Sequence, residues 1–153
     1  MRIFTSIALV LVTLAFPIVA ATAPAPNCSI DLKVGDSMKF DQRTVTVSAS
    51  CKTITVNLAH EGQLPVQTMG HNVVITATGA FQSVADAGMK AGLALNYVPS
   101  NDKRVIASTR MIGGGEKTTT SFAGSALKAG GAYRFFCSAP GHWSLMNGQV
   151  LVE

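Results

Sequence analysis

Short segments with strand chemistry recur along the chain, separated by glycine, proline, asparagine and aspartate. These segments are residues 29–34, 38–48, 53–58, 72–78, 103–108, 117–122, 132–137 and 149–152. Several alternate clearly, as where Val45 and Val47 are interleaved with Thr44 and Thr46. Such alternation is typical of strands that bury one face. About eight strands of this kind predict an all-β Greek-key sandwich or barrel.

One segment has helical rather than strand periodicity. Phe81, Val84, Ala85 and Met89 recur at the spacing of one helix face within residues 81–90. We therefore expect one short helix inserted into the β scaffold.

The N-terminus has the pattern of a cleaved export signal. Arg2 supplies a positive start, a long apolar run follows it, and a small-x-small cleavage site ends at Ala23. Pro17 interrupts the apolar run before it reaches the ~20 residues that a membrane-spanning helix needs. We expect residues 1–23 to be removed, which leaves residues 24–153 as a single domain with no membrane insertion.

The charge of the chain argues against a nucleic acid partner. The formal net charge is only +4 over 153 residues, and charged residues make up 13% of the chain. Basic residues form no run and no stripe interleaved with aromatic side chains, as nucleic-acid-binding proteins usually require. We therefore expect partners of another kind.

Three cysteines are informative in an exported protein, because an oxidising compartment allows disulfides and an odd cysteine needs an explanation. A bridge between Cys28 and Cys51 would close a loop of about 24 residues and stabilise the fold by roughly 3 kcal/mol. That pairing would leave Cys137 over. An unpaired cysteine can be an ordinary buried thiol, but histidine and methionine follow this one closely.

The segment after the last cysteine places a thiol, an imidazole and a thioether in the order Cys137, His142 and Met146. Pro140 and Gly141 favour a turn that would aim the cysteine and the histidine at the same point in space. A thiolate, a neutral imidazole and a thioether are soft ligands, and they favour copper over calcium, magnesium or manganese. Zinc would accept cysteine and histidine but would gain little from methionine.

A trigonal site of one cysteine and two histidines with a weak axial methionine requires a second histidine. We favour His71 over His60, because His71 lies at the entry to a predicted strand, where a loop residue can face a neighbouring strand. Gly70 beside it would let the backbone approach a metal closely. His60 directly follows a predicted strand, and we interpret it as a structural histidine, with a proton-coupled role as the alternative.

At these residues the sequence resembles the azurins, small blue copper proteins of the bacterial periplasm that belong to the cupredoxins. The resemblance covers nearly all of the chain after the export signal. It is carried by residues 27–29, 51–52, 56–58, 69–72, 86–89, 104–107, 115–117 and 136–148. It implies a cupredoxin-like fold and one copper ion that cycles between Cu(I) and Cu(II).

The resemblance also implies a role for each site residue. Cys137, His71 and His142 would be the strong equatorial ligands, Met146 the weak axial ligand and the Gly70 carbonyl oxygen a distant contact. The other implied roles are a disulfide between Cys28 and Cys51, and hydrogen bonds from Asn72 and Ser138 that hold the ligand loops together.

Around the exposed edge of His142, the resemblance implies an apolar patch where redox partners dock. The members of this docking patch are Met38, Leu64, Met69, Ala139, Pro140, Trp143 and Leu145. Electrons would pass through His142 without transformation of a substrate, so the protein would not be an enzyme. The implied partners are c-type cytochromes or a copper-containing or haem reductase, met transiently by a monomer in the periplasm.

The sequence departs from the azurin pattern at several positions. Val73 stands where many azurins carry a buried tryptophan, and Trp143, the only tryptophan, lies inside the ligand loop. Ala139 replaces a larger residue often found beside the copper. The changes at Trp143 and Ala139 bear on solvent access and reduction potential.

Two other functions are compatible with the same residues. A copper carrier or storage protein would use the same ligands, but it would hand over metal without reversible redox cycling. A cysteine-nucleophile enzyme would pair Cys137 with His142, but it would leave Met146 without a role and would lack a convincing orienting residue.

Overall fold

The alternating segments form eight strands in the computed structural model, which describes residues 25–153. The strands are β1 (Ser29–Val34), β2 (Thr44–Val47), β3 (Thr53–His60), β4 (Val74–Ala77), β5 (Val105–Ser108), β6 (Lys117–Ala123), β7 (Tyr133–Phe136) and β8 (Asn147–Val152). Within these residues two α-helices accompany the strands, α1 (Val66–Met69) and α2 (Phe81–Ala91). The predicted signal peptide lies outside the described residues. Within residues 25–153, no helix has the length and apolar character of a membrane span.

The strands are arranged in two sheets, so the sandwich form of the predicted fold is confirmed, and residues 25–153 form no closed barrel. One sheet has the order β1-β3-β6 and the other the order β2-β8-β7-β4-β5. The pairs β1/β3 and β2/β8 are parallel, whereas the other pairs are antiparallel. Because neighbours such as β2 and β8 are far apart in sequence, the sheets join distant parts of the chain.

Strand alternation decides which side chains form the core. In β3, Ile54, Val56 and Leu58 are buried, while the residues between them are partly exposed. Phe40 and Phe135 pack edge to face in the same core, with ring centroids 5.2 Å apart. Full burial of a side chain of this size contributes ~1.5–3 kcal/mol. The two sheets therefore form a rigid frame for the loops at their ends.

The disulfide implied by the resemblance is present. Cys28 is bonded to Cys51, and the bridge ties together the starts of the parallel strands β1 and β3. Cys137 is the free cysteine of the described chain, and it is buried. It lies directly after β7, so the odd cysteine is placed in a loop between two strands.

The predicted helix is confirmed as α2, whose buried residues Val84 and Ala85 pack beneath it in a second apolar cluster. The one-turn helix α1 was not predicted, because four residues are too few for a periodic pattern. The predicted strand over residues 38–48 was too long, since only β2 forms there. The Asp41 carboxylate accepts a hydrogen bond from the Lys33 backbone N–H at 2.8 Å, and this irregular contact replaces a strand ladder.

Candidate metal centre

Three potential metal ligands converge at one end of the sandwich. The Sγ atom of Cys137 lies 3.8 Å from Nδ1 of His71 and 3.6 Å from Nδ1 of His142. The ligand atoms of all three residues lie within 4.8 Å of one another. Cys137 and His142 come from the loop between β7 and β8, whereas His71 comes from the segment before β4. The sequence prediction of His71 as the second histidine agrees with this arrangement.

The spacing of these atoms suits a single trigonal metal ion. Bonds of about 2.3 Å to sulfur and about 2.0 Å to nitrogen, meeting at ~120°, place the two ligand atoms about 3.7 Å apart. The observed separations of 3.6 and 3.8 Å lie on either side of this value. The donor set of one thiol and two imidazoles therefore fits copper in both chemistry and distance.

His71 is held in the tautomer that leaves Nδ1 free for a metal. Its Nε2–H donates to the Gly35 carbonyl at 3.0 Å, a bond that only a protonated Nε2 can make. The His71 backbone exchanges two hydrogen bonds with Ile112, each 2.9 Å long. Burial lowers the pKa of His71 to about 4, so its ring is neutral near pH 7. The ligand is therefore oriented before any metal binds.

The Cys137 thiol is better suited to metal binding than to nucleophilic catalysis. The residue is fully buried, and burial raises the pKa of its thiol to about 11, although the backbone N–H groups of Asn72 and Ala139 act in the opposite direction. Reactive cysteines have a lowered pKa and partial exposure. A coordinating metal, by contrast, deprotonates a thiol outright. These properties count against the cysteine-nucleophile alternative.

Gly70 and Met146 are the two other residues predicted to contact the metal, and in sequence they lie before and after the three ligands. Met146 is fully buried, and its carbonyl accepts a hydrogen bond of 3.0 Å from the Cys137 N–H, so the loop returns beside the cysteine. Gly70 directly precedes His71, and a Cβ atom at Gly70 would collide with the Val66 carbonyl oxygen. The close path of the backbone at this point therefore requires glycine.

Asn72 and Ser138 connect the two ligand loops by hydrogen bonds. The Asn72 Oδ1 atom accepts from the Ser138 backbone N–H at 2.9 Å, and its Nδ2 donates to Ser138 Oγ at 2.8 Å. Asn72 Nδ2 also donates to the Asn96 carbonyl at 2.9 Å. Because Asn72 follows His71 and Ser138 follows Cys137, these bonds fix the two ligands relative to each other.

Replacing Asn72 by alanine should lower the free energy of unfolding by about 2 kcal/mol, because buried donors and acceptors lose their partners. Urea denaturation of the metal-free protein measures this difference. The matched control is Asn57→Ala, since Asn57 bonds to Asp31 and Thr119 on the exposed face of the small sheet. An Asn72→Ala variant no less stable than this control would contradict a role for Asn72 in joining the loops.

His60 is buried but both of its ring nitrogens are already engaged. Its Nε2 donates to the Met69 carbonyl at 3.0 Å, and its Nδ1 accepts from the Gly62 N–H at 3.1 Å. Its ring stacks on that of His71 with centroids 5.2 Å apart. The geometry agrees with our interpretation of His60 as a structural histidine, whose ring packs against that of His71.

The residues of the predicted docking patch differ in exposure. Ala139 is only 6% exposed and lies beneath the surface, while Met69 and Trp143 are half-buried. The exposed members are Met38, Leu64, Pro140 and Leu145. Sequence reasoning missed Leu93, which lines a cavity of about 220 Å³ together with Pro140 and His142. The sequence feature that could have identified Leu93 is the apolar triplet of residues 93–95, which directly follows Gly92 at the end of α2.

A two-sheet sandwich whose end loops gather one buried cysteine and two histidines defines a class of small copper proteins. Residues 26–153 match the model of the copper binding proteins of the plastocyanin/azurin family. The chain is 50% identical over 127 residues to azurin from Pseudomonas denitrificans, an alignment that covers 83% of this chain and 99% of that one. It is also 50% identical over 122 residues to azurin-1 from Alcaligenes xylosoxydans xylosoxydans, with coverage of 80% and 95%.

A solved structure of the azurin Az-iso2 from the obligate methylotroph Methylomonas sp. strain J is similar to this fold. The TM-score is 0.79 at 45% sequence identity, and the match covers 82% of this chain and 98% of that chain. The chain belongs to the plastocyanin/azurin family. The resemblance to the azurins and the cupredoxin fold are thereby confirmed.

This membership and the geometry of the site agree on the kind of protein. It is a blue copper protein of the electron-transfer type and not an enzyme, with one copper ion held by His71, Cys137 and His142. The alternative of a copper carrier or storage protein is not favoured. As an electron-transfer protein, it docks with redox partners.

Proposed function

We propose that this protein carries single electrons between redox partners in the periplasm, with His142 as the point of entry and exit. The observation that carries the proposal is the trigonal spacing of the Cys137 sulfur and the Nδ1 atoms of His71 and His142. Copper supplies the one-electron chemistry by cycling between Cu(I) and Cu(II). Every other requirement falls on the protein, which must keep the ligands in place in both oxidation states.

In this proposal Met146 would add a weak thioether ligand, and the Gly70 carbonyl would be a distant contact. Complete burial of Met146 beside Cys137 supports the first assignment, and the glycine-dependent backbone path before His71 supports the second. Asn72 and Ser138 act as the hydrogen-bonded link between the loops. Because all these groups are anchored to the sheets, little rearrangement accompanies electron transfer.

His142 is suited to electron exchange because its ring extends from the site toward solvent. Its Nδ1 faces Cys137 Sγ, whereas its Nε2 has no hydrogen-bond partner within residues 25–153 and is not among their buried unpaired atoms. That nitrogen therefore lies open to water or to a docked partner. His71 cannot take this role, because it is fully buried and bonded to Gly35.

The proposed partners are c-type cytochromes or a copper-containing or haem reductase, which dock on the apolar patch around His142. The exposed patch residues support this part of the proposal, as does the cavity that reaches His142. Redox encounters of this kind usually bury less than about 1,200 Å² and are transient. We propose that the protein acts as a monomer.

The proposed location is the periplasm, reached after removal of residues 1–23. The small-x-small sequence that ends at Ala23 supports cleavage at this position. The disulfide between Cys28 and Cys51 supports an oxidising compartment. Residues 24–153 are then the single mature copper-binding domain.

A copper titration tests the proposal. The mature protein should turn intensely blue with one equivalent of Cu(II), through sulfur-to-copper charge transfer, and should lose and regain this colour on reduction and reoxidation. Electron exchange with a c-type cytochrome in a stopped-flow experiment tests the transfer step. A zinc-loaded sample is the control and should stay colourless and inactive. A colourless copper adduct, or metal handover without redox cycling, would contradict the proposal.

A further inference from the structure

The two histidine ligands are supported in different ways. His71 is fully buried and its Nε2–H is bonded to the Gly35 carbonyl. His142 lacks any such bond to residues 25–153, and only its Nδ1 side faces the site. A metal-binding histidine is normally oriented by a hydrogen bond from its other ring nitrogen. The orientation of His142 must therefore come from the loop that carries it.

That loop is attached to the rest of the protein by an aromatic contact at the next residue. The ring of Trp143 packs edge to face on Phe81, the first residue of α2, with centroids 5.7 Å apart. Phe81 packs in the same way on Phe136, with centroids 4.9 Å apart. Phe136 is fully buried and directly precedes Cys137. These three aromatic rings therefore connect the residue after His142 with the residue before Cys137.

A polar contact holds the backbone of the same tryptophan. The Asn147 side-chain amide donates to the carbonyl of Trp143 at 2.9 Å and more weakly to that of Ser144 at 3.3 Å. Arg134 donates to Asn147 Oδ1, and its guanidinium lies 5.3 Å from the centre of the Phe81 ring. The ring and the main chain of Trp143 are therefore both fixed by one cluster on α2, β7 and β8.

We propose that Trp143 is a positioning residue for His142. Packed on Phe81 and held by the Arg134–Asn147 pair, it keeps the His142 loop closed, so that the imidazole stays at the copper when the oxidation state changes. This inference rests on the proposed copper electron-transfer function. Trp143 would orient His142 in place of the hydrogen bond that its Nε2 does not make to residues 25–153. The inference gives Trp143 a role distinct from the predicted contact with docked partners.

The test measures how fast the reduced, copper-loaded protein loses Cu(I) to the chelator bathocuproine disulfonate. Trp143→Ala should lose Cu(I) about two- to tenfold faster than the wild type, the ratio to which the free energy of one aromatic pair corresponds. The blue charge-transfer band of its oxidised form should also shift, because the His142 ring reorients. Trp143→Phe keeps an aromatic edge on Phe81. It should lose Cu(I) at a rate within about twofold of the wild type, and its charge-transfer band should return to the wild-type position.

Phe122→Ala is the matched control, because it removes another half-buried aromatic side chain, from β6, that packs on the main core instead. It should lose Cu(I) at the wild-type rate. Equal acceleration in Trp143→Ala and Phe122→Ala would indicate general destabilisation and would overturn the inference. Wild-type rate and spectrum in Trp143→Ala would do the same.

A second variant covers the case in which Trp143→Ala does not fold. Trp143→Leu keeps apolar packing but loses the ring, and it should shift both readouts in the same direction; unchanged readouts would overturn the inference. The failures of the two proposals can be told apart. A wild-type protein that does not turn blue contradicts the proposed function, whereas a blue, redox-active wild type with unaltered Trp143 variants contradicts only the positioning role.

Discussion

Replacing Cys137 by alanine will abolish the blue colour and the reversible redox cycling of the copper-loaded protein. The colour arises from charge transfer between a thiolate sulfur and copper, and Cys137 is the free cysteine of residues 25–153. Two imidazoles would remain, so the variant should still bind Cu(II) weakly without the intense visible band. Visible absorption and cyclic voltammetry of the copper-treated variant measure the loss.

The control for this experiment is His60→Gln, which changes the buried histidine stacked on His71. Because both ring nitrogens of His60 are bonded to protein backbone, its replacement removes no metal ligand. We expect this variant to stay blue. A blue Cys137→Ala protein, or a colourless His60→Gln protein that is folded, would contradict the ligand assignment.

Removing the disulfide with the double substitution Cys28→Ala and Cys51→Ala will destabilise the fold without bleaching the copper site. The bridge closes a loop with a sequence separation of 23 residues. Its loss should lower the free energy of unfolding by about 3 kcal/mol in the chain-entropy model and the Tm by roughly 10 °C. Calorimetry and urea denaturation of the metal-free protein measure these changes.

The colour should survive because the disulfide and the copper site lie at opposite ends of the small sheet. Cys28 and Cys51 precede β1 and β3, whereas Gly35, which bonds His71, follows the end of β1. The six paired residues of these parallel strands span about 20 Å. A bleached double variant that is folded would show that the bridge acts on the site, and unchanged stability would contradict its role in the fold.

Much of the fold could be predicted because side-chain alternation is a local property of a strand. The predicted bounds of β1 agree with the structure, and those of β6 differ by one residue. The long segment that contains β2 was overpredicted, since only residues 44–47 pair with another strand, and the Lys33 N–H bonds to the Asp41 side chain and not to a backbone carbonyl. The order of the strands could not be read from alternation, because a period of two says nothing about which strand is the neighbour.

The same difference between local pattern and long-range packing applies to the metal site. Cys137, His142 and Met146 lie in one short loop, so their convergence follows from spacing and turn residues. The choice between His71 and His60 could not rest on spacing, because both lie far from this loop in sequence. The two histidines differ in their hydrogen bonds. Both ring nitrogens of His60 bond to the backbone, whereas only Nε2 of His71 does, which leaves its Nδ1 available for a metal.

The copper-binding chemistry of this protein can be predicted from its amino acids alone, because ligand type and local spacing are properties of a continuous segment. Packing of the folded chain sets the distance between Cys137 and His71, which lie 66 residues apart in sequence, and the contact of Trp143 with Phe81. These distances depend on how two sheets and a helix pack, and no local pattern encodes them. A soft ligand set in one loop becomes a trigonal site because that packing brings His71 to within 3.8 Å of the Cys137 sulfur.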